Sequence, residues 1–238
     1  MSLGKILCIV HQKHSKTRRV GRVLKQKGLE LDIRRPCLGQ ALPESLDGYA
    51  GTVVFGGPMS AYDCDKFDFI KRELDWLPMA AEQRPFLGIC LGAQLLSRAA
   101  GGSVAPHAEG LHEVGYFPLH ATEEGRELFA GCTHAYQFHK DGFEIPRGAV
   151  RLATGEMFEN QSFRVGDRAF GLQFHPELTP KTMELWQGYA ERKQLPGSQT
   201  MAELIAARDK HEKRTRRWLY RFLDHWLTTP QASLQKAA

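Results

Sequence analysis

The chain has 238 residues, 42% hydrophobic and 25% charged, a composition that fits one globular domain with a full core and excludes a disordered or fibrous chain. No apolar run reaches the roughly 18–20 residues of a membrane helix, and the Ile6–Val10 run is of strand length, unlike a signal peptide. Five scattered cysteines (Cys8, Cys37, Cys64, Cys90, Cys132) lack metal-ligand spacing, so no metal site is expected and a reduced, cytoplasmic setting is.

Leu3–Val10 reads as a buried strand, followed by a helical stretch through Leu24 that turns Val20, Val23 and Leu24 inward. A basic run from Lys13 to Lys27 contributes to the net charge of +5 and reads as a solvated helix face. No nucleic-acid module accompanies it, so nucleic acid is not an expected partner. Leu29–Ile33 and Thr52–Phe55 are short strands, the second running into Gly56-Gly57-Pro58-Met59-Ser60. Paired glycines there let backbone N–H groups approach a ligand closely. Lys66–Glu82 places Phe69, Ile70, Leu74 and Leu77 on one helical face.

The strand Phe86–Ile89 and the helix Leu91–Ala100 flank Cys90. Strand, sharp turn and helix together raise a nucleophile at the end of a sheet, and Gly88 and Gly92 leave the turn room to form. The sulfur then lies near the positive end of a helix dipole, which favours an anion. A lone cysteine would read as core; the flanking glycines assign this one to chemistry. After Gly101-Gly102 shorter β segments suggest an antiparallel extension of the sheet. Ala169–Phe174 is a last strand ending at His175-Pro176-Glu177. In extended chain His175 and Glu177 share a face, and the proline ends the pairing beside them. A carboxylate so placed orients an imidazole for base catalysis.

Thr179-Pro180 opens a helix to about Arg192, and Gln194–Ser198 has linker composition. Met201–Leu227 is one long helix with Trp218, Leu219, Phe222, Leu223, Trp226 and Leu227 in a stripe that either docks on the chain's own core or forms a dimer or partner surface. The expected organisation is a catalytic domain over 1–193, a linker over 194–199, an amphipathic helix over 200–227 packed on the domain, and a polar tail over 228–238. Alternating strands and helices predict an α/β fold, a three-layer, open, mostly parallel sheet with helices on both faces.

Three segments, Gly56-Gly57-Pro58-Met59-Ser60, Gly88-Ile89-Cys90-Leu91-Gly92-Ala93-Gln94 and Gln173-Phe174-His175-Pro176-Glu177, resemble in order and spacing the class I (triad) glutamine amidotransferases. The resemblance covers about residues 3–190 and is nearest to the glutaminase domain of GMP synthase and its stand-alone relatives. It implies a flavodoxin-like fold with a nucleophile elbow and no cofactor. It further implies that Cys90 attacks the side-chain amide of glutamine, with His175 as base and acid, Glu177 orienting it, and ammonia released. The amides of Gly57 and Leu91 are candidate oxyanion-hole donors. Gln94, one helical turn after Cys90, and His139 in Gln137-Phe138-His139-Lys140-Asp141 are candidate substrate-binding residues.

One departure stands out. The loop Val10-His11-Gln12-Lys13-His14-Ser15 replaces the acidic residues or glycine of many relatives, which points to a different substrate beyond the γ-glutamyl group. His11 and His14 read there as exposed loop histidines. Three functions follow: a glutaminase, alone or feeding ammonia to a separate synthase subunit; a γ-glutamyl peptidase acting on glutathione-like amides; and a non-catalytic regulatory protein of the same fold.

Overall fold

Apolar strands buried on both faces need helices on both sides, and the chain supplies them in alternation. In the computed structural model, which describes residues 4–229, the first half of the chain runs β1 (Lys5–Ile9), α1 (Arg18–Gln26), β2 (Glu30–Arg34), β3 (Tyr49–Val54), α2 (Asp68–Gln83), β4 (Phe86–Ile89) and α3 (Leu91–Ala99). Short strands follow: β5 (Val104–Pro106), β6 (Glu113–Pro118), β7 (His120–Ala121), β8 (His134–His139) and β9 (Asp141–Phe143). The chain continues with β10 (Val150–Thr154), β11 (Asn160–Val165), β12 (Ala169–Leu172), α4 (Pro180–Lys193) and α5 (Met201–Thr228).

Eight strands form one sheet in the order β2-β1-β3-β4-β12-β11-β10-β7. The first five are parallel, and β11, β10 and β7 extend them antiparallel, as the shorter β segments after Gly101 suggested. Side chains alternate between two cores in the period of a strand. Ile6 and Cys8 join Val20, Val23 and Leu24 of α1 and the α5 stripe on one face. Leu7 and Ile9 join Ile70 and Leu77 of α2 and Leu95 and Leu96 of α3 on the other. This is the expected three-layer α/β fold.

Some boundaries moved for local reasons. α1 starts only at Arg18, so Lys13 and Lys16 lie on the loop before it, and Arg19 is buried and not on a solvated face. Its guanidinium meets Glu212 at 2.5 Å and Pro176 O at 3.5 Å. The 194–199 segment is tied down: the Gln199 side chain bonds the backbone N and O of Tyr116 at 2.8 and 3.0 Å. Thr200 and Glu203 then close a capping box that starts α5. Of the predicted polar tail, Thr228 ends α5 and residues 230–238 lie outside the described residues. No described helix is long and apolar enough to cross a membrane.

The α5 stripe is used inside the chain. Trp218 is fully buried, stacks on Phe129 at 5.2 Å, packs on Phe174 at 5.5 Å and donates its indole N–H to Leu128 O at 2.8 Å. Trp218→Ala is expected to destabilise the fold by about 3–5 kcal/mol in urea unfolding. A loss below about 1 kcal/mol would show that α5 is not part of the core.

Candidate active site

The turn between β4 and α3 is as tight as its glycines require. A Cβ on Gly88 would stand 2.4 Å from Gly92 O, and one on Gly92 would stand 2.1 Å from Val54 O. With backbone packed on backbone, Cys90 takes φ 51°, ψ −108°, a left-handed region that a residue with a Cβ occupies at a cost of about 1–3 kcal/mol. Its N–H donates to Leu172 O at 2.8 Å, pinning the turn to β12, and the side chain is 6% exposed.

β12 runs beside β4 and ends just before His175, so parallel pairing carries both segments to the same rim. The His175 Nδ1–H donates to Glu177 Oε1 at 2.9 Å, and both residues are buried. A Cβ on Gly56 would lie 3.0 Å from His175 Cε1 and 3.4 Å from Cys90 Cβ, so imidazole and thiol meet at that α-carbon. Burial opposes a charged His175, but the Glu177 carboxylate and then the Cys90 sulfur outweigh it and raise its pKa from 6.5 to about 10. The Trp186 ring covers the imidazole edge-on at 5.2 Å.

Gly57 packs against Leu91: a Cβ on it would meet Leu91 Cδ2 at 3.0 Å and His11 Cβ at 2.7 Å. As the first residue of α3, Leu91 has an N–H without an acceptor inside its helix. The two candidate oxyanion donors therefore sit on adjacent residues beside Cys90.

Under this loop lies a pair that reading the chain as exposed loop missed. His11 is buried, with Nδ1 3.2 Å from Gly56 O and Nε2 2.9 Å from Glu73 Oε2. Burial works against its charged form, yet Glu73 and the carbonyls of Gly56 and Phe55 raise its pKa overall. The clue was present in α2: Glu73 occupies the apolar stripe of Phe69, Ile70 and Leu77, where an unpaired carboxylate would be costly. His14, by contrast, is exposed at the cleft mouth.

Gln94 and His139 both line the cleft and are both anchored from behind. Gln94 Nε2 donates to Asp141 O at 3.0 Å and Gln173 Oε1 at 3.3 Å, which leaves its carbonyl oxygen for a ligand. The His139 ring nitrogens lie 3.0 Å from Asp141 O and 2.9 Å from Glu113 Oε2. Cys90, His175, Glu177, Gly57, Gln94 and His139 thus border one cleft of about 980 Å³, with Leu91 directly behind Cys90. It opens beyond the carboxyl ends of β1 and β3, the switch point where open α/β sheets bind ligands.

The chain matches known proteins at the level of family. The family model Glutamine amidotransferase class-I matches residues 9–186. A glutamine amidotransferase from Thermotoga maritima superposes with a TM-score of 0.82 at 29% identity, covering 95% of this chain and 99% of that one. GMP synthase from Porphyromonas gingivalis is 35% identical over 58% of this chain, which spans only 26% of that protein. Gamma-glutamyl peptidase 3 of Arabidopsis thaliana is 27% identical over 66% of this chain and 67% of its own.

An imidazole whose pKa rises from 6.5 to about 10 on folding stabilises the fold fully below pH 6.5 and loses that contribution as pH climbs through about 10. Glu177→Gln removes the strongest influence that raises it. The melting-temperature gap between wild type and Glu177→Gln is expected to narrow from about pH 6 to pH 10. A gap that widens toward alkaline pH would contradict the pairing.

Proposed function

Because the chain belongs to the class-I glutamine amidotransferase family, we propose that it hydrolyses the side-chain amide of glutamine through Cys90, His175 and Glu177. The observation that carries this reading is the Cys90 elbow facing an imidazole held by a carboxylate at 2.9 Å in one buried rim. Cys90 passes its proton to His175 and attacks the amide carbon. The oxygen of that carbon gains charge and is met by the Gly57 and Leu91 N–H groups, the first held in place by His11 through Gly56 O. The C–N bond breaks, His175 protonates the departing nitrogen, and ammonia leaves a γ-glutamyl thioester on Cys90. Water, deprotonated by His175, then releases glutamate and restores the thiol.

Gln94 holds the glutamyl end through its free carbonyl oxygen, and His139, with both nitrogens engaged, fixes that wall from behind. No cofactor enters these steps. Ammonia is either released or handed to a separate synthase subunit, and a homodimer is compatible with this chemistry, which draws every group from one chain. A second reading, a γ-glutamyl peptidase, is favoured by a cleft far larger than a glutamine molecule fills.

Cys90→Ala is expected to abolish glutamate and ammonia release while leaving the melting temperature near wild type. Glu177→Gln is expected to lower kcat by about 10²–10⁴-fold, less completely than loss of the sulfur. Wild-type turnover by Cys90→Ala would end the proposal.

A further inference from the structure

On the chemistry proposed above the inner end of the cleft takes the γ-glutamyl group; the outer half has a different character. Trp186, beside His175, continues outward through Phe138 at 5.1 Å and from Phe138 to Tyr189 at 6.4 Å. Tyr189 is 47% exposed and Leu185 67%, so an apolar ledge on α4 faces the opening. Around it stand five cationic side chains from three parts of the chain: Lys13, Lys16 and Arg18 before and at the start of α1, Lys140 between β8 and β9, and Arg192 at the end of α4. Among the described residues, none of these five is in an ion pair.

Among the described residues two carboxylates line the same cleft, Asp141 and Glu177, and neither is free to neutralise that wall. Asp141 accepts from Ser60 Oγ at 2.5 Å and from the Tyr62 hydroxyl at 3.2 Å, and Glu177 is turned to His175. A cleft walled by unpaired charges of one sign concentrates ligands of the other. Ammonia, the leaving group of glutamine, makes no use of an apolar ledge and is repelled as ammonium.

We propose that this outer half is a subsite for the amine portion of γ-glutamyl amides, recognising an amine that carries both a carboxylate and an apolar side chain. The substrates then include γ-glutamyl amino acids or peptides beside glutamine, a conclusion that rests on the thioester chemistry above. The reaction balances as hydrolysis. Cys90 displaces the amine, the thiol proton travels through His175 to its nitrogen, and water converts the thioester to glutamate.

The test compares γ-glutamylphenylalanine with its carboxamide, which differs only in the terminal charge, and with glutamine. At low ionic strength the acid is expected to exceed the amide in kcat/KM by about tenfold, with the ratio falling as salt is added. Cys90→Ala should bind the acid more tightly than the amide by calorimetry. The double variant Lys16→Glu with Arg192→Glu should bring the acid-to-amide ratio close to one. Glutamine hydrolysis with equal use of acid and amide overturns the subsite and leaves the chemistry standing. A ratio that survives the charge reversal likewise overturns it. No turnover of any compound, with tighter binding of the acid by Cys90→Ala, overturns the chemistry and leaves the subsite.

Discussion

The approach of Gly92 to the Val54 carbonyl sets the geometry of everything around it. With no side chain at 92, α3 seats directly on the end of β3, and the chain leaving β4 must turn within one residue. That residue is Cys90, and its positive φ follows from the space available on either side. Val54 also precedes the glycine pair of the β3 loop, so the contact that bends the elbow brings Gly56 and Gly57 against it. The cost of the bend, about 1–3 kcal/mol, is small beside the burial of the two cores that hold β3, β4 and β12 together.

Three buried histidines surround the elbow, each 2.9 Å from a carboxylate: His175 with Glu177, His11 with Glu73 and His139 with Glu113. At His175 and His11 the paired carboxylate outweighs the cost of burial, although such pairs add little beyond what a well-packed apolar replacement would. What they give is direction. His11 fixes a carbonyl of the glycine loop and His139 fixes the backbone of Asp141 against Gln94. Two of the three pairs act through backbone on their neighbours, and the His175–Glu177 pair alone lies against the sulfur.

How much of this was legible follows from the range of each interaction. Gly88, Cys90 and Gly92 lie within five residues, and His175 and Glu177 within three, so local rules of turn and strand reach the elbow and the imidazole–carboxylate contact. Strand and helix types followed from apolar patterning, although α1 takes up the basic run only from Arg18, leaving Lys13 and Lys16 on a loop that lines the cleft. His11 was read as exposed, since nothing adjacent in the chain announces a partner 62 positions away. A carboxylate inside an apolar helical stripe was the one available hint. The cationic run was likewise visible as composition, but its division between a buried Arg19 and a cleft wall required the fold.

Helix α5 is the last element among the described residues, and it supplies Trp218, Phe222 and Trp226 to the same core that holds Ile89 and Cys90. During synthesis, then, the elbow can be translated long before the layer that covers its sheet emerges from the ribosome. A nascent chain halted ahead of that helix would have the elbow residues but lack half of the apolar layer that packs on β1, β3, β4 and β12 from that side.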